Sequence, residues 1–162
     1  MLVAAGCGTG PTSAPPQASA PSAPANAGAG GSSGFPTGAD GAVLDAARTF
    51  ASTVTTYDHT KLADQRSAVL PLTGEPLKGD LTKSLADGGD FANTVTTNSR
   101  DAKGTVLDLA LVSREGDRAV VLLFVDQQVT SPAGDTTQRL RERVTMNRAK
   151  SGAWLAVKIE TL

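Results

Sequence analysis

Few residues in this chain have the types and spacing that chemistry needs. Its 162 residues hold one histidine and one cysteine. His59 directly follows Asp58, an adjacency that suits a proton relay but serves equally as a capping or surface element where a helix starts. Cys7 stands in an uncharged stretch with no base near it in sequence, so the nucleophile beside a base that hydrolysis requires is not evident. Zinc calls for three or four clustered ligands, which one His and one Cys do not supply unless carboxylates complete the set. The expectation is therefore a chain without catalytic residues, metal or cofactor.

Arg139, Arg141 and Arg143 recur at every second position. In a strand they project from one face while Glu142 points to the other. One reading is a solvated strand face whose arginines meet cross-strand partners such as Asp126 or Glu160. The other is a docking surface for an acidic partner or anionic headgroups, each charge adding roughly 1 kcal/mol near an anionic surface.

The elements that must position these residues follow from periodicity. Val43, Ala46, Ala47, Phe50, Val54 and Tyr57 recur at spacings of three and four, the stripe of a helix that Asp40 can cap. A shorter helix begins after Asp58 or Thr60 as its cap, carries Leu62 and Val69 on one face, and stops at Pro71. Leu77, Leu81 and Leu85 mark a third, which Gly88 and Gly89 end; residues 91–99 read as either helix or loop. Four strands then follow, over 103–113, 118–128, 138–148 and 153–162, with Gly-containing turns between them. Val120, Leu122 and Phe124 alternate with Val121, Leu123 and Val125, so the second strand reads as buried on both sides. The third sets Leu140, Val144 and Met146 against its arginines, Thr145 and Asn147, as a half-solvated strand does. The expected fold class is α+β, with N-terminal helices packed on a curved four-stranded antiparallel meander and its second face partly open.

Residues 1–39 carry no charge and hold six of the nine prolines. Such composition cannot offset the entropy of ordering, which sets 7–38 apart as an Ala/Pro/Gly/Ser tether and 39–162 as one domain. All 15 Lys/Arg and 16 Asp/Glu lie in that domain, a balance that argues against nucleic acid as a partner. LVAAGC, at residues 2–7, resembles a bacterial lipobox, with Ala4 where that pattern usually has Leu. The resemblance implies that 1–6 are the remnant of a signal peptide and that Cys7 carries a lipid at the extracytoplasmic face of the cell membrane; the competing reading is a free cysteine in a tail.

The order of helices and strands is similar to the cone-like fold of nuclear transport factor 2. At residue level, Tyr57 and Asp58, Thr73 and Gly74, Phe124 to Gln127 with Thr130 and Ser131, Arg143 to Thr145, and Trp154 with Leu155 resemble the actinobacterial Mce-associated proteins, with Asp126 where that family has Asn. This implies a non-enzymatic accessory protein of the envelope, partnered with an Mce-type lipid or sterol import system. Two alternatives on the same fold stay open: a carrier of an apolar ligand, and an isomerase or hydratase in which Tyr57 and Asp126 act from a pocket that Phe124 and Trp154 help line. A deep cavity with a buried carboxylate would favour the enzyme, a deep apolar cavity the carrier, and a filled cone the accessory role. The oligomeric state is open, a homodimer among the options.

Overall fold

A computed structural model describes residues 39–162. The expectations for 1–6, for the 7–38 tether and for Cys7 lie outside the described residues. Four helices come first: α1 (Ala39–Val54), α2 (Leu62–Val69, continued by a 3-10 turn over Leu70–Leu72), α3 (Leu77–Ser84) and α4 (Asp90–Thr97). Four strands follow: β1 (Asp101–Glu115), β2 (Arg118–Thr130), β3 (Thr136–Arg148) and β4 (Trp154–Thr161). They form one antiparallel sheet in the order β1-β2-β3-β4. This is the expected α+β layout, a cone-like fold of the nuclear transport factor 2 type.

Local chemistry explains the element boundaries. Pro71 falls in the turn that ends α2, and Gly89 precedes α4 in extended backbone. The open question over 91–99 resolves as helix, because Ala92 and Val95 bury one face of it. The turn between β1 and β2 is only Gly116 and Asp117, with Gly116 at φ 57°; a positive φ at the first central position suits the right-handed twist of a tight hairpin. Asp40 lies inside the first turn of α1 rather than ahead of it, and it pairs with Arg114 at 2.7 Å. Neither Asp58 nor Thr60 caps α2; Asp58 Oδ1 accepts from the Thr60 amide and hydroxyl, and the helix starts two residues later at Leu62.

The core lies between the helices and one face of the sheet. Val43, Ala47, Phe50 and Ala51 of α1 meet Val121, Leu123 and Val125 of β2, Val144 and Met146 of β3, and Trp154 and Ala156 of β4. Two-sided burial of β2 does not hold. Val120, Leu122 and Phe124 are half-buried and stay outside this cluster, because four short helices cover the concave face alone. Thr145 departs in the other direction: placed on the solvated face by its parity, it is buried between Val120 and Lys158.

The end of α1 sits directly on β1. A Cβ on Gly104 would overlap Thr55 Oγ1, and the Gly104 amide donates to Thr56 Oγ1 at 3.1 Å. Gln127 Nε2 donates to the Thr55 carbonyl at 2.8 Å, and Tyr57 and Ala102 exchange backbone bonds of 2.9 and 2.8 Å. Gly104→Ala is expected to destabilise by about 1–3 kcal/mol through overpacking. Leu123→Ala, at a fully buried site, is expected to lose about 2–5 kcal/mol. Denaturant titration of both variants checks this, and a loss below about 0.5 kcal/mol at either site would contradict the packing.

Candidate functional site

The face of the sheet beneath the helices is packed with apolar side chains. The side chains of Phe50, Leu123, Met146 and the surrounding valines are fully buried. A small space of about 100 Å³ lies among the helices, lined by Val54, Gln65, Leu81, Ser84, Leu85 and Phe91, below the roughly 300–1,000 Å³ of a small-molecule site. Gln65, one of its lining residues, donates to the Thr53 carbonyl at 2.9 Å.

One carboxylate belongs to this interior. Glu142 faces inward between Leu140 and Val144, opposite Leu123 and Thr161, and is 7% exposed. Its Oε2 is buried without a hydrogen-bond partner, and burial alone pushes its carboxyl above the ordinary carboxylate range. Uncompensated burial of this kind disfavours the charged form. The alternation of β3 showed which way Glu142 points; its isolation depended on which helices close over the sheet.

The acid–base residues singled out in sequence are engaged structurally. His59 Nδ1 lies 2.8 Å from Asp101 Oδ1, which also accepts from the His59 amide at 2.9 Å. This clip, 42 residues apart in sequence, ties the loop before α2 to the start of β1, and it holds the Asp101 carboxyl below its usual range. Asp58, His59 and Asp101 offer three donor atoms within 4.8 Å of one another. Both carboxylates are already committed, Asp101 to His59 and Asp58 to Thr60, so the group acts first as a fastener. No spacing rule in the sequence pointed to Asp101. Tyr57 packs edge-on against Phe91 with ring centroids 5.0 Å apart, and burial raises its phenol above the ordinary value.

Tyr57, Phe124, Asp126 and Trp154 are not brought together. Trp154 is in the core, with the Arg114 guanidinium 5.5 Å from its ring centroid. Phe124 and Asp126 are on the opposite, outer face of β2, and Tyr57 lies at the free edge of β1. Strand parity separates Phe124 from Trp154, since β2 and β4 present them to different faces.

The outer face carries the arginines. Arg139 reaches Asp126 at 3.0 Å and Arg143 reaches Glu160 at 3.0 Å, the cross-strand partners that the pattern suggested. Arg141, opposite Phe124, makes no ion pair among the described residues. An open groove of about 530 Å³ flanks this face at β4, with Glu75, Asp80, Arg118 and Lys158 at its rim. Its charges are mixed, and Leu77, Val157 and Ile159 line it beside them.

No family model and no curated protein matches the chain. Solved structures do. An IcmL-like type IV secretion system protein from Legionella pneumophila superposes with a TM-score of 0.64 at 14% identity, over 80% of this chain and 94% of that one. The periplasmic domain of DotI gives 0.63 at 14%, over 80% and 99%, and the Agrobacterium tumefaciens VirB8 protein 0.61 at 7%, over 76% and 91%. At such identities the likeness is one of fold. These findings overturn the Mce-associated assignment: the solved structures that this chain resembles here come from type IV secretion proteins. The lipid or sterol import partnership and the actinobacterial attribution fall with it. The carrier and the isomerase are not supported either: apolar side chains pack the interior, and Tyr57 and Asp126 lie apart.

Glu142 gives a pH dependence with a defined sign. Its native carboxyl titrates above the unfolded value of about 4.3, so the native state holds the extra proton. Stability is present in full below the unfolded value, is lost as pH rises toward the raised native one, and stays lower above it. Glu142→Gln is expected to melt higher than the wild type at about pH 7.5, with the difference closing near pH 4. Thermal melts at the two pH values check this; equal differences at both would show that Glu142 is not held in its neutral form.

Proposed function

We propose that this domain is a non-enzymatic structural subunit of a cell-envelope secretion assembly, built on the plan of VirB8-type domains and working at the extracytoplasmic face of the membrane. The observation that carries the reading is the filled cone. A domain whose concave face is closed by Phe50, Leu123 and Met146 offers its surface rather than its interior. Superposition over 91–99% of three secretion-system domains supports it, since the match spans nearly the whole of each. The engagement of His59 with Asp101 and of Asp126 with Arg139 also supports a scaffold, because the groups best suited to acid–base work hold elements in place.

In this reading 1–38 form a leader remnant and tether, and an acylated Cys7 fastens the domain to the membrane. The uncharged tether, with six prolines before Ala39, suits a spacer between a bilayer and a folded domain. None of the helices among the described residues is long and apolar enough to cross a membrane.

Two experiments test these statements separately. Cross-linking of the epitope-tagged chain in its native bacterium, followed by mass spectrometry, is expected to recover envelope components of a secretion apparatus; recovery without any such component would remove the functional reading. Intact mass of the membrane-extracted protein is expected to show acyl chains that Cys7→Ser abolishes. An unmodified thiol would remove the anchor and leave the assembly role to be judged by the cross-links.

A further inference from the structure

Three metal-ligating side chains meet where the chain enters the sheet. Tyr57 and Ala102 exchange backbone hydrogen bonds of 2.9 and 2.8 Å, an isolated antiparallel bridge between the loop after α1 and the start of β1. Asp58 and His59 directly follow Tyr57, and Asp101 directly precedes Ala102. The bridge therefore sets two carboxylates and an imidazole side by side, and one donor atom from each lies within 4.8 Å of the others. The carboxylates that a ligand set with a single histidine needs are thus supplied from two segments, 42 residues apart between His59 and Asp101.

Each carboxylate is held by one oxygen and offers the other. Asp58 Oδ1 accepts from the Thr60 amide at 2.8 Å and from its hydroxyl at 2.6 Å. Asp101 Oδ1 accepts from the His59 amide at 2.9 Å and lies 2.8 Å from Nδ1. Asp101 Oδ2 has no hydrogen bond among the described residues, and Asp58 Oδ2 meets the exposed Lys61 ammonium at 3.6 Å, a loose contact. Donors fixed on one oxygen orient a carboxylate as the outer partners of metal ligands do. The two carboxylates also feel each other: the His59 hydrogen bonds hold the Asp101 carboxyl low, and the charge of Asp58 works against them. A cation between the two removes that repulsion.

We propose that Asp58, His59 and Asp101 together bind one divalent ion of the zinc class. An imidazole nitrogen with two carboxylate oxygens suits zinc, whereas magnesium and calcium prefer shells made of oxygen alone. Zinc bonds of about 2.0–2.2 Å put tetrahedral ligand atoms roughly 3.4 Å apart, so the donors need shifts of about 1 Å, within reach of side-chain rotation. The ion takes Nδ1, and the neutral imidazole carries its proton on Nε2. Three protein donors leave a fourth position for water. Solvent reaches it, because all three residues are partly exposed and His59 also lines an open cleft between α2 and α4. Lys61, and Arg100 beside Asp101 in sequence, are the neighbouring cations that hold the affinity to the micromolar range. Once bound, the ion fastens the loop ahead of α2 to β1 more firmly than the His59–Asp101 contact alone. The inference goes beyond the secretion-assembly reading and stands independently of it.

His59 is the only histidine of the chain, so a single imidazole signal reports the site. The full chain carrying Cys7→Ser, which removes the thiol as a competing ligand, is titrated with Zn²⁺ by calorimetry and by ¹⁵N NMR of that ring. One ion per chain is expected to bind with micromolar affinity, move the Nδ1 resonance and raise the melting temperature. Millimolar Mg²⁺ or Ca²⁺ is expected to leave the ring signal in place. Asp58→Asn keeps an acceptor for Thr60 and Asp101→Asn keeps one for the His59 amide, and each is expected to weaken Zn²⁺ binding at least about tenfold. Where Asp101→Asn misfolds by circular dichroism, Asp58→Asn decides, since Asp58 takes no part in the His59–Asp101 contact. No binding at millimolar Zn²⁺, binding that leaves the ring signal unmoved, or undiminished binding in Asp58→Asn would overturn the proposal.

Discussion

Everything in this domain depends on the seating of α1 in the concave face of the sheet. Its apolar stripe, Val43, Ala47, Phe50 and Ala51, lies against all four strands. Both ends of the helix are fixed by polar contacts that apolar packing alone would not specify. At one end Asp40 pairs with Arg114, whose guanidinium also lies against Trp154. At the other Thr55 rests on Gly104 and receives a hydrogen bond from Gln127. Non-directional burial supplies most of the stabilisation, and these contacts set the register of helix against sheet.

Seating α1 this deeply packs Phe50 and Met146 into the interior. The chemistry-bearing residues His59, Asp101 and Asp126 hold elements together. The same closure explains Glu142. The strand alternation that places Arg139, Arg141 and Arg143 in water must place residue 142 in the core, and no donor follows it there. A buried unpaired carboxylate opposes folding at neutral pH, so its presence is a local conflict between the polarity of β3 and the position β3 occupies.

The outer face answers to a different rule. A sheet with helices on one side leaves its other side to water or to a partner, and here that side is apolar in the middle. Cross-strand pairing quenches two of the three arginines and leaves the third beside Phe124. Among domains of this architecture that share only 7–14% identity, surface chemistry of this sort is what can differ while the fold stays the same.

The sequence by itself determined the α+β class, the four antiparallel strands, the stripe of α1 and the facing of the arginines, because these are local and periodic. Helical stripes repeat at 3.6 residues and strand faces at 2, and both survive without knowledge of the neighbours. Cross-strand partners were also legible, since a carboxylate one strand away from an arginine is a short search. The tertiary structure alone decided which side of β2 the helices cover, that Asp101 holds His59 across 42 residues, and that Tyr57, Phe124, Asp126 and Trp154 never meet. It also decided that Glu142 is isolated and that the cone is full. These depend on how long-range elements close over one another, and no periodicity within a single segment records which face of a sheet its helices will choose.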